Sequence, residues 1–219
     1  KTERMDRVRA ALRAQGLTQM IVCDPKSVWY LTGVAVEPYE RLLALYLPTE
    51  GEPVLFLNRL FNVPEPPCRT VWHTDTDKPV AQIAEVVDAG RPLGIDKEWP
   101  AKFLIPLMET HPGMQVVLSS DCVDDCRACK DAEEQALMRE ASRINDAVNE
   151  AAKHYIKAGM TEREVAEFID AQFRAYGCEG PSFTTIVSFG ANAADPHHEP
   201  DDTVLKKGDC VLFDMGCVK

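Results

Sequence analysis

The sequence has no long uninterrupted apolar run. No hydrophobic stretch approaches the roughly 18 to 20 residues that a membrane-spanning helix requires. The beginning of the chain is charged and amphipathic, without the apolar core that is typical of a signal peptide. We therefore expect no membrane partner and a cytoplasmic location.

Positive charge is also scarce. The 219 residues include 24 Lys and Arg against 35 Asp and Glu, which gives a formal net charge of −11. A surface with this balance repels phosphate backbones, so we expect no nucleic-acid partner. The same balance favours the binding of cations.

The composition is not that of a disulfide scaffold. Eight cysteines are spread over a chain that is 45% hydrophobic, so a core can hold the fold and free thiols are expected. Cys122, Cys126 and Cys129 have a spacing loosely similar to that of metal sites. No second Cys or His cluster follows to complete four ligands, so we predict that they bind no metal.

Helix and strand patterns alternate in the first half of the chain. Strands are predicted at 20–23, 42–47, 54–57, 93–95 and 115–118, and helices before Gly16, over 80–87 and over 100–109. The runs 42–47 and 54–57 flank a Pro- and Gly-containing turn, which predicts a hairpin. Together these elements predict an α/β domain with a mixed sheet over 1–122.

A second domain is expected over 126–219, after a polar junction at 121–125. A long helix ends at Gly159, and Thr161 with Glu164 predicts a capping box that begins a second helix. Strands are predicted at 183–189 and 210–215. Two helices over two strands leave an open sheet edge, so this domain is predicted to be incomplete.

Two places in the second domain carry candidate chemistry. Asp214 interrupts the apolar run 210–218, and a buried carboxylate costs several kcal/mol unless it is paired or bound to metal. The alternatives are an edge-strand Asp that faces water, or one bonded to nearby backbone. His197 and His198 lie in an acidic loop before that strand, where simple solvent exposure is the alternative.

Six motifs occur in a fixed order along the chain. They are DPKSVWYLTG (24–33), KDAEE (130–134), TEREVA (161–166), FTTIVSFGAN (183–192), PHHEP (196–200) and LKKGDCVLFDMG (205–216). In order and spacing they resemble the prolidase and Xaa-Pro aminopeptidase branch of the pita-bread hydrolases. The resemblance covers essentially the whole chain.

The resemblance implies a fold, a site and a reaction. The fold would be a creatinase-like N-terminal α/β domain followed by the first half of an α+β pita-bread catalytic domain. Asp214 matches the first of five metal ligands, and His197, rather than His198, matches the His that contacts substrate around the scissile bond. Two divalent ions (manganese first, with cobalt or zinc as alternatives) would hold a hydroxide that attacks the carbonyl of an Xaa-Pro bond. Relatives of this kind are often homodimers.

The other four ligands of that family, a second Asp, a His and two Glu, are not in this sequence. We therefore expect the 219-residue chain alone to be inactive, and a longer parent to be an Xaa-Pro dipeptidase or aminopeptidase acting on proline-containing peptides. Two alternatives stay open: a non-catalytic binding protein of pita-bread fold, and a creatinase-like, metal-free C–N hydrolase. Asp214 disfavours the metal-free hydrolase, because such a site does not need a buried acid at this position.

Overall fold

A six-stranded mixed sheet forms the centre of the first of two compact units. The computed structural model describes residues 2–63 and 65–219, and the first unit ends at Cys129. The strands are β1 (Gln19–Val22), β2 (Ala44–Pro48), β3 (Val54–Asn58), β4 (Arg69–His73), β5 (Leu93–Ile95) and β6 (Val116–Leu118). Their order is β4-β3-β2-β1-β5-β6, with β1–β2 and β2–β3 antiparallel and the other three pairs parallel.

Helices cover both faces of this sheet. They are α1 (Thr2–Ala14), α2 (Pro25–Thr32), α3 (Pro79–Ala84), α4 (Ala101–Thr110) and α5 (Asp121–Ala128). Successive strand residues point to opposite faces, so Met20 and Val22 join the core with α1, α2 and α5, whereas Ile21 joins the core with α3 and α4. Four strands therefore read as continuous apolar runs because both of their faces are buried.

The mixed sheet predicted for the first half of the chain is confirmed, and the hairpin of 42–47 and 54–57 is β2 with β3. The sequence patterns missed β4, α2 and α5. The region expected to be a polar junction is helix α5, and Cys122 and Val123 on it are buried in the first core. This is why the compact unit extends to Cys129 and not to 122.

Two helices dominate the second unit, which runs from Lys130 to Lys219. They are α6 (Ala132–Tyr155) and α7 (Glu162–Ala175), each begun by a capping box, and the box predicted at Thr161 and Glu164 is confirmed. Their apolar faces meet in a core that includes Val148, Ile169 and Phe173. Among the described residues, no helix combines the length and the apolar character needed to cross a bilayer.

Two short antiparallel ladders complete the second unit. One joins β8 (Ile186–Phe189) to β9 (Val211–Asp214), and the other joins β7 (Gly180–Pro181) to β10 (Cys217–Val218). In β9 the half-buried Val211 and Phe213 contact the core, whereas Leu212 and Asp214 are exposed. Of the alternatives left open for Asp214, exposure on the strand is the one observed, because the core lies on only one face of β9.

Candidate functional site

The first turn of α7 places a glutamate inside the second unit. The side chain of Thr161 accepts the amide of Glu164 at 3.2 Å, and the Glu164 carboxylate accepts the amide of Thr161 at 2.9 Å. This reciprocal cap fixes the start of the helix. Glu162, between them, turns inward and has no exposed surface.

The Glu162 carboxylate accepts four hydrogen bonds. Oε1 accepts the amide of Phe189, at the end of β8, at 2.7 Å and the side-chain amide of Asn192 at 3.0 Å. Oε2 accepts Nε2 of His198 at 2.6 Å and the amide of Asp201 at 3.2 Å. Burial of a carboxylate is costly without such donors, and here both oxygens have two.

His198 lies on the connection of residues 190–203, which begins with a 3-10 helix over Gly190–Ala194 and is hereafter the 190–203 loop. Because Glu162 acts as an acceptor at 2.6 Å, the imidazole carries its proton on Nε2. The hydrogen bond to Glu162, and secondarily the charge of that carboxylate, raises the pKa of His198 above its ordinary value. Asp201 and Asp195, which lie on the same loop, act in the same direction.

The two halves of the 190–203 loop are held in different ways. Its far end is held by backbone bonds, since Asp201 and Thr203 accept the amides of Arg163 and Glu162 at 3.2 Å each. Its middle has local bonds within the loop, in which Asp195 donates its amide to Asn192 at 3.1 Å and its Oδ1 accepts the amide of His197 at 2.9 Å. The side-chain bonds of Glu162 link this middle part to α7.

The two residues predicted to carry the chemistry are both exposed. His197 projects from the middle of the 190–203 loop, next to the anchored His198, and Asp214 ends β9. The side chain of Asp214 forms no hydrogen bond or ion pair within the described part of the chain, so its oxygens are available. The assignment of His197 and Asp214 to substrate and metal stays a prediction.

One group of side chains in the described residues has the composition of a metal site. Glu162, His198 and Asp201 offer ligand atoms within 4.8 Å of one another. The four hydrogen-bond donors of Glu162 already occupy both of its oxygens, and His198 directs a proton at one of them. We therefore assign this cluster a structural role, as a hydrogen-bonded anchor.

A groove of about 570 Å³ lies beside α7 in the second unit. Its walls include Arg163 and Asp170 from α7, Phe183 and Thr184 from the segment before β8, and Glu199 from the 190–203 loop. His197 and Asp214 are not among the residues that line it, so the groove is separate from the predicted chemistry.

Sequence reasoning missed Glu162 altogether. A glutamate in the first turn of a helix is normally explained by the helix dipole and remains at the surface. Its neighbours in space, Phe189 and His198, are 27 and 36 positions away, and no local pattern connects them. Burial raises the pKa of the Cys122 thiol to about 11. That the thiols of 122–129 bind no metal stays a prediction.

Two family models match consecutive parts of the chain. The model of the creatinase/prolidase N-terminal domain matches residues 4–129, and that of metallopeptidase family M24 matches residues 136–219. A putative dipeptidase of Bacillus subtilis, YkvY, is 30% identical over 230 residues, which cover 98% of this chain and 62% of the relative.

Solved structures agree in fold over almost the whole chain. The dipeptidase PepE from Mycobacterium ulcerans has a TM-score of 0.88 at 29% identity, covering 99% of this chain and 60% of its own. A recombinant prolidase from Thermococcus sibiricus has a TM-score of 0.87 at 28% identity, covering 99% of this chain and 61% of its own. The chain thus spans about three fifths of the length of these proteins, and the predicted fold class is confirmed.

Proposed function

The chain belongs to the creatinase/prolidase N-terminal domain family, and on that premise we propose that the full-length protein is a metal-dependent peptidase that cleaves Xaa-Pro dipeptides. The observation that carries the proposal is the ordered match of both parts of the chain, the second to metallopeptidase family M24. Relatives at 28–30% identity are called dipeptidase or prolidase, which favours a dipeptidase over an aminopeptidase.

Asp214 is the residue of this chain that would contribute to a metal centre. Its carboxylate is exposed and free of partners within the described residues, and oxygen donors suit hard ions such as manganese, with cobalt or zinc as alternatives. Two bound ions would supply activation of water and polarisation of the peptide carbonyl. Asp214 alone offers two oxygens, whereas such a pair needs about six ligands for each ion.

His197 would bind and orient the substrate at the scissile bond. Its imidazole is exposed while its own amide is fixed by Asp195 and the next residue, His198, is anchored. A residue whose backbone is fixed and whose imidazole is exposed to solvent is suited to contact a ligand. We further propose that the full-length protein is a cytoplasmic homodimer, and that the 219-residue chain alone neither binds a metal pair nor hydrolyses peptides.

The experiment compares the full-length protein with Asp214→Asn, using a manganese-loaded enzyme and an Xaa-Pro dipeptide beside its Xaa-Ala counterpart. We expect hydrolysis of the Xaa-Pro substrate only. The variant should bind manganese about 10- to 100-fold more weakly, which is the loss typical when a metal-site group is changed. Asp202→Asn is the matched control, because Asp202 is an exposed carboxylate that pairs with Arg163.

Three results would contradict the proposal. Full activity in the presence of a strong chelator would favour the metal-free hydrolase. Absence of hydrolysis by the metal-loaded full-length protein would favour a binding protein of the same fold. Unchanged metal affinity in Asp214→Asn would remove Asp214 from the site.

A further inference from the structure

Glu162 joins three segments that are distant in sequence. It is the first residue of α7, and its carboxylate accepts the amide of Phe189 at the end of β8 as well as Asn192 and His198 from the 190–203 loop. Because Glu162 has no exposed surface, it cannot touch a substrate or a reacting atom. Any influence it has on chemistry must pass through the residues that it holds.

Glu162 holds His198, which is the residue next to His197, through its shortest hydrogen bond. The Glu162 bond to His198 Nε2 is the shortest of the four at 2.6 Å, and a bond between an imidazole and a carboxylate is charge-assisted when the imidazole is protonated. Backbone bonds tie the far end of the loop to the segment around the start of α7, and just beyond the loop Leu205 donates its amide to Met160 at 2.8 Å. The backbone bonds of the middle stay within the loop itself, from Asp195 to Asn192 at 3.1 Å and from His198 to Asp195 at 3.3 Å.

We infer that Glu162 is a positioning residue, which through His198 and Asn192 holds the middle of the 190–203 loop so that His197 is presented to substrate. The inference rests on the proposed function for its catalytic consequence, but not for its structural one. A displacement of about 1 Å in a substrate-contacting group can cost about 100-fold in rate. Loss of the anchor should therefore reduce turnover without removing any group from the reaction.

The first test measures kinetics of the manganese-loaded full-length protein on an Xaa-Pro dipeptide. We expect Glu162→Gln and His198→Ala each to lower kcat by about 10- to 100-fold, with KM changed less than about 3-fold and metal content unchanged. His198→Gln should recover most of the loss, because its side-chain amide can still donate to Glu162. Glu164→Gln, the same change in an exposed glutamate two residues away, should be without effect.

The second test does not depend on activity. Amide hydrogen exchange at Asp195, His197 and His198 should accelerate by about 10-fold or more in Glu162→Gln and His198→Ala, because the acceptors of these amides lie within the loop. Leu205 should keep its protection, because its amide is bonded to Met160 outside the loop. If the wild type does not hydrolyse Xaa-Pro peptides, the proposed function fails, and the exchange rates still decide whether Glu162 holds the loop.

Three outcomes would overturn the inference. The first is exchange and kcat within about 2-fold of wild type in folded Glu162→Gln. The second is loss of bound metal in parallel with activity, which would locate the effect at the metal centre. The third is that His198→Gln and His198→Ala have the same kcat and the same exchange rates. If Glu162→Gln does not fold, this pair of variants tests by itself whether the bond to Glu162 positions the loop.

Discussion

Replacement of Glu162 by alanine should destabilise the second unit more than any other single change at its surface or helix ends. The variant removes the acceptor of four hydrogen bonds while their donors remain. The amide of Phe189 is fully buried and cannot bond to water, so leaving this amide without its acceptor costs about 1–3 kcal/mol by itself. His198, whose side chain is 15% exposed, can be partly rehydrated.

The total expected loss is about 3–5 kcal/mol, the range for removing one partner of a buried ionisable pair. A typical domain is stable by only about 5–15 kcal/mol, so this loss is a large fraction of the total and should lower the urea midpoint of the second unit. Glu164→Ala removes one exposed capping bond and should cost about 1 kcal/mol. The comparison keeps residue type and helical turn the same, so the difference in the free energy of unfolding reports the burial of Glu162 together with its additional hydrogen bonds.

The assay is urea unfolding followed by two probes. Far-UV circular dichroism follows the helices of both units, including α6 and α7 of the second unit, which are the longest. Trp29, Trp72 and Trp99 are the three tryptophans of the chain, and all lie in the first unit, so their fluorescence reports on that unit. A loss in Glu162→Ala no larger than that in Glu164→Ala would refute the reasoning.

Three further predictions concern single residues. Glu162 raises the pKa of His198, so the stabilising contribution of His198 is complete below the unfolded pKa of about 6.5 and is lost as pH rises through the higher folded pKa. The difference in Tm between wild type and His198→Gln should therefore shrink from mildly acidic to alkaline pH. A difference in Tm that stays constant with pH would contradict this. Because Asp24 caps α2, Asp24→Ala should lower the free energy of unfolding of the first unit by about 1–2 kcal/mol, as measured by urea unfolding with tryptophan fluorescence. Burial raises the pKa of Asp24, but hydrogen bonds outweigh burial and keep this pKa below its usual range. The contribution of the cap is therefore lost as pH falls through the folded pKa of Asp24. Cys126→Ser should leave the zinc content of purified protein unchanged by elemental analysis, and loss of stoichiometric zinc would show that the thiols of 122–129 form a site after all.

Local patterns were sufficient where one rule dominated. The capping box at Thr161 and Glu164 requires only side chains three residues apart, and the hairpin of β2 and β3 requires only two apolar runs and a turn. Helix α5 was missed because its polar positions suggested a linker, whereas its helical state depends on Cys122 and Val123 packing into the first core. Its existence is a consequence of tertiary burial, which overrides weak local preference.

The candidate site divides in the same way. The sequence by itself determined the motif order, the family resemblance, and the prediction of His197 and Asp214 as site residues. The order and spacing of motifs along the chain can be obtained without knowing how the chain folds. Only the tertiary structure decided that Asp214 faces outward and that Glu162 faces inward, since the side of a strand or helix turn that is buried depends on what packs against it. The anchor of the 190–203 loop exists because the fold brings residues 27 to 36 positions apart within hydrogen-bonding distance of one buried carboxylate.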